Sequence, residues 1–71
     1  MIRSADDFGR EIAAARRALG MTQRELAHAI NSGERFIVDL EAGKPTAQLG
    51  KALAAAWAVG LRLSASPAST A

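Results

Sequence analysis

The chain has 71 residues, no cysteine and one histidine, His28. That length sets a ceiling of one small domain, and the composition excludes disulfides, thiolate metal sites and multi-histidine metal centres. Nine Lys or Arg against seven Asp or Glu give a net charge of +2, too mild to announce a nucleic-acid binder by itself.

The first predicted element is a helix that begins at Ser4. Asp7, three residues on, gives the pair the look of a capping box with Asp in place of the usual Glu. Phe8, Ile12, Ala15 and Leu19 then follow one helical stripe, and Gly20 supplies the left-handed residue that ends it. The second start is better marked. Thr22 and Glu25 form a capping box, and Met21 and Leu26 occupy the positions of a hydrophobic staple. Leu26, Ala27 and Ile30 face inward, and Asn31 is the expected terminator because Asn tolerates the left-handed conformation.

Ser32 and Gly33 make the next turn. A third helix covers about residues 34 to 40, with Ile37 and Leu40 as its inward pair, Phe36 partly buried beside them, and Gly43 then Pro45 closing it. Thr46 is the expected cap of a fourth helix over residues 47 to about 59. Leu49, Ala52, Leu53, Ala56 and Trp57 are read as its apolar face, with Trp57 as core. Gly60 ends it. Leu61-Arg62-Leu63-Ser64 alternates apolar and polar as a short strand does. A lone strand cannot satisfy its backbone, so the expected partner is the same strand of a second copy, with Leu61 and Leu63 at a two-fold dimer contact. Residues 65 to 71 are expected to be a disordered tail, leaving residues 1 to 64 as the domain. The first ten residues have no apolar run suited to a signal peptide, and the alanine-rich stretch 52 to 61 is too short for a bilayer. The expectation is a cytoplasmic protein without a membrane partner.

The spacing from Met21 to Lys44 is that of a helix-turn-helix, which presents its second helix to the DNA major groove. Ala27 is small enough for close approach of the two helices, and Asn31 and Gly33 give the turn a permissive backbone. Ile37 and Leu40 anchor the second helix, leaving Glu34, Arg35, Val38 and Asp39 on its free side.

The segment resembles the Cro/cI-type, or Xre-type, helix-turn-helix family through TQ-x-EL-A and LE-x-GK. The arginine-rich first helix, RFI-x-x-LE-x-GKPT, LGKAL and terminal LRL are similar to the HipB-type antitoxins, over about residues 6 to 64. The resemblance implies an all-α, lambda-repressor-like bundle of four to five short helices, homodimeric, bound to palindromic operator DNA. It also implies repression of its own operon and neutralisation of a HipA-type kinase toxin. By position, Thr22, Gln23, Ser32 and Lys44 correspond to contacts with the DNA backbone, and Glu34, Arg35, Val38 and Asp39 to base contacts. Arg16 and Glu41 match a family ion pair. A hydroxyl, an amide and free N–H groups at a helix start suit a phosphate, and the Arg35 fork suits guanine O6 and N7. Glu34 and Asp39 stand open between accepting from cytosine N4 and being ordinary surface acids, and Lys44 between a phosphate and the helix carboxyl end. The departures from the family are Asn31 where glycine is usual, Ser32 where an apolar residue is usual, and Gly33 where Ser or Thr caps.

Two other readings remain beside the antitoxin. One is a stand-alone Xre-type repressor or controller. The other is a helical protein-interaction module that does not bind DNA. Enzymatic function and a cofactor are not expected, because the chain has no cysteine nucleophile, metal cluster or glycine-rich phosphate loop.

Overall fold

The computed structural model describes residues 2–65 and Pro67. Among these residues the chain forms four helices, α1 (Ala5–Ala18), α2 (Gln23–Ala29), α3 (Glu34–Glu41) and α4 (Leu49–Ala58). Their starts follow local chemistry. Ser4 Oγ accepts from the Asp7 N–H at 3.1 Å, while the Asp7 carboxylate accepts from the Arg3 N–H at 3.0 Å. Thr22 and Glu25 form the full reciprocal box, with distances of 3.0 and 2.8 Å.

All four helices end the same way. A residue at positive φ (Gly20, Asn31, Gly43 and Gly60) follows each C-cap, and the next N–H reaches back to a carbonyl of the last turn. This is the Schellman arrangement, which satisfies carbonyls that the helix itself leaves unpaired. Asn31, at φ 55, is the one non-glycine residue in this role among the described residues. Gly43 is doubly constrained. Its φ is +86, and an added Cβ would collide with the Asp6 carboxylate on α1.

α3 packs against both α1 and α2, and α4 packs against α2. Ile12, Leu26 and Ile37, one from each of the first three helices, are fully buried, with Leu40 and Ala27 around them. Gly9 explains how α1 approaches the end of α3. A Cβ there would sit 2.7 Å from the Glu41 carbonyl oxygen and closer still to that of Leu40, so only hydrogen fits.

Several expectations are corrected. α4 starts at Leu49 behind an N-cap at Gln48, not behind Thr46. Pro45 and Thr46 are taken up by a turn, and Ala47 packs on the core before the helix begins. The inward face of α4 is Ala52, Ala55, Ala56 and Val59, an i, i+3, i+4, i+7 stripe. Small side chains let the helix lie close against the core, and this rotates the neighbouring stripe outward. Leu49 is 72% exposed, Leu53 46% and Trp57 69%, so Trp57 is a surface residue and not core. Leu19 is also exposed, because it is the C-cap of α1, where the chain turns away toward α2.

No strand forms over residues 61–65, which have no regular structure. Leu61 is instead the last residue of the α4 cap. Its N–H donates to the Ala56 carbonyl at 2.9 Å and its half-buried side chain packs against the core. Leu63 is exposed. The tail expected over residues 65 to 71 lies outside the described residues except for Ala65 and Pro67, both exposed.

Candidate nucleic-acid interface

α2 and α3 are joined by Ile30, Asn31, Ser32 and Gly33, a short turn across which the two helices pack on each other. Ser32 is half-buried, with its N–H on the Ala27 carbonyl at 2.8 Å and its hydroxyl donating to the Gly33 carbonyl at 3.0 Å. Gly33 caps α3 without a side-chain hydrogen bond, so the first N–H groups of α3 have no side-chain cap. Ile37 and Leu40 sit in the core and fix the helix from below. The opposite side begins with Glu34 and Arg35, both exposed. Val38 and Asp39 are half-buried, so the free face tapers toward the carboxyl end.

A buried ionic strut holds that end. Arg16 donates from Nε to Glu41 Oε2 at 2.6 Å and from Nη2 to Oε1 at 3.0 Å, and its Nη1 reaches the Met21 carbonyl at 2.8 Å. The two side chains are 10% and 6% exposed. Hydrogen bonding to Glu41 holds the Arg16 guanidinium above its ordinary pKa, outweighing the desolvation that would lower it. Glu41 Oε1 also accepts from Gln23 Nε2 at 3.1 Å. One carboxylate therefore ties the last turn of α3 to α1 and to the first residue of α2. The bidentate fork explains why Arg, not Lys, belongs at position 16.

The strut changes the reading of Gln23. Its side chain is partly committed to Glu41, which leaves one amide N–H and the amide oxygen for an outside partner. Thr22, at the exposed start of α2, has its hydroxyl and N–H in the capping box with Glu25. A second charged group lies on the outer side of α3. Asp39 is flanked by Arg35 Nε at 3.4 Å and Lys44 Nζ at 3.5 Å. Glu34 stands apart from these pairs.

Arg10 and Arg17 are not among the contact residues expected from the sequence. Both line a shallow groove between α1 and α3, together with Gln23, Val38 and Glu41. Arg10 is held in that region by Asp7 at 2.5 Å. The missed signal is spacing: Arg10 and Arg17 are seven residues apart, two helical turns, and share a face of α1. His28 is exposed on α2.

An exposed helix start, a tight turn and a second helix pinned by its apolar side define the helix-turn-helix class. Comparison with known families agrees: the Helix-turn-helix family model matches residues 12–63. Among curated proteins, the uncharacterized HTH-type transcriptional regulator y4mF of Sinorhizobium fredii (strain NBRC 101917 / NGR234) is 50% identical over 52 residues, covering 73% of this chain and 68% of that protein. The chain belongs to the Xre-type helix-turn-helix family.

Proposed function

We propose that this chain is a sequence-specific DNA-binding transcriptional regulator, with α3 as its reading helix in the major groove. The observation that carries this reading is the position of Arg35. It is exposed near the start of a helix whose other side is locked by Ile37, Leu40 and the Arg16–Glu41 strut. A rigidly mounted guanidinium at that place suits guanine O6 and N7. Thr22, Ser32, Lys44 and the free amide groups of Gln23 serve the flanking phosphates, and Glu34 and Val38 complete the base-facing set. The relative is named an HTH-type transcriptional regulator, which supports the same reading.

The regulator works as a homodimer on a palindromic operator. The support is an apolar side made by Leu49, Leu53, Trp57 and Leu63, each exposed in the single chain, with Ile2 beside them. Ile2, Leu49, Leu53 and Leu63 line one groove of about 440 Å³. Covering such a surface with a second copy removes it from water and spaces two reading helices for two half-sites. The protein is cytoplasmic in this reading, and no helix among the described residues is long and apolar enough to cross a membrane.

Within this function the chain is an antitoxin that represses its own operon and neutralises a HipA-type Ser/Thr kinase. The support is the match of its sequence to the HipB-type pattern. The stand-alone regulator is the second reading, supported by the relative's name as an HTH-type transcriptional regulator.

The test is a titration of purified protein against the DNA upstream of its own gene. Retarded migration at moderate salt that is abolished by Arg35→Ala is the expected result, and no retardation at any salt rejects the reading. Sedimentation across concentration tests the dimer, which Trp57→Ser should weaken. A kinase-like open reading frame beside this one, with toxicity relieved by co-expression, separates the antitoxin from the stand-alone regulator.

A further inference from the structure

We infer that Asp39 is a positioning residue that sets specificity, holding Arg35 and Lys44 on one carboxylate instead of reading a base itself. The inference rests on the DNA-reading function proposed above. Arg35 Nε lies 3.4 Å from Oδ1 and Lys44 Nζ lies 3.5 Å from Oδ2, so each oxygen serves one cation. The Asp39 side chain is 27% exposed against 85% for Arg35 and 56% for Lys44, which makes the carboxylate the fixed member and the cations the movable ones.

Helix stability does not account for this acid. Asp39 is in the last turn of α3, where the macrodipole disfavours a negative charge, and that turn holds no basic residue. Its order relative to Arg35, cation first and anion four residues later, is the weaker one for a helical pair.

The geometry serves recognition in two ways. The contact to Arg35 is through Nε, on the side of the guanidinium. Both Nη groups, which make the forked contact to guanine, donate no hydrogen bond among the described residues, and the fork loses freedom before it meets DNA. The carboxylate also offsets one of the two positive charges. Sequence-independent attraction to phosphate depends on the cations that displace counterions, so Asp39 lowers affinity for any duplex while keeping the aimed fork for the correct one.

The experiment uses wild-type protein to select a duplex from a random-sequence pool. That duplex and a shuffled duplex of the same composition are then titrated against wild type, Asp39→Asn, Arg35→Gln and the double variant over a range of salt. Asp39→Asn is isosteric, and its melting temperature checks the fold. The expected result is tighter binding of the shuffled duplex, roughly eightfold at about 0.1 M salt for one freed cation, with a salt slope steeper by about 0.9. Preference for the selected duplex should fall about fivefold or more, and this fall should vanish in the Arg35→Gln background. Unchanged preference in Asp39→Asn overturns the inference. So does a variant that selects a new base at one position with full preference, which would make Asp39 a base reader. If the wild type selects no sequence and binds neither duplex, the DNA-reading function itself is rejected, and the role of Asp39 with it.

Discussion

α3 carries two arginine–carboxylate pairs of opposite character. Arg16–Glu41 is buried, bidentate and shared with Gln23, whereas Arg35–Asp39 is exposed on its cationic side and reached through one nitrogen. The first is a strut between helices far apart in sequence. The second lies within one helix and is open to water and salt. The same two functional groups thus give rigidity where water is excluded and adjustability where it is not. A reading helix needs both: a mount that does not move and a side chain that can exchange its partner for a base.

The largest expected effect comes from breaking the buried pair on one side. Arg16→Leu leaves Glu41 buried without its cation, and the loss is expected at about 3–5 kcal/mol. For a domain of this size that is much of the total stability, so the variant should be largely unfolded by far-UV circular dichroism at room temperature. Replacing both members, Arg16→Met with Glu41→Leu, should recover most of the loss, because no orphan charge remains. A double variant as unstable as the single would mean that the strut acts through something other than its charges.

Next comes the clearance that lets the strut form. Gly9→Ala places a methyl group against the Leu40 and Glu41 carbonyls, which are backbone and cannot swing aside. The expected cost is about 1–3 kcal/mol, read as a lower melting temperature, despite the better helix propensity of Ala. An unchanged or higher melting temperature would show that α1 can shift at no cost.

The exposed pair should behave in the opposite sense. Arg35→Ala is expected to change stability by no more than about 0.5 kcal/mol, yet to abolish operator retardation. The smallest effect is salt. The melting temperature of Arg35→Ala should track that of wild type from low to high salt within error, because an exposed pair contributes little to screen. A substantial destabilisation by Arg35→Ala would erase the contrast between the two pairs.

Most helix ends are readable in the sequence because they depend on neighbours in the chain, the start of α4 behind Gln48 being the exception. Thr22 with Glu25, and the left-handed residues Gly20, Asn31, Gly43 and Gly60, act within a few positions of themselves. What lay beyond the sequence depends on how helices meet. Gly9 looks like a weak point in an amphipathic helix until the carbonyls of α3 stand against it. The amide of Gln23 meets Glu41 across 18 positions. α4 offers two adjacent stripes, one of alanines with Val59 and one of Leu49, Leu53 and Trp57, and size alone favours the wrong one as core. Close approach through small residues decided between them, and that preference is set by the partner surface.

The outward position of Trp57 has a practical consequence for spectroscopy. It is the one tryptophan of a chain without tyrosine, so the chain's ultraviolet emission comes almost entirely from a ring lying outside the core, with Arg62 stacked 4.5 Å from its centre. Its fluorescence should barely register loss of the interior on heating, yet should shift toward the blue whenever another molecule covers that side, making the natural chromophore a gauge of association.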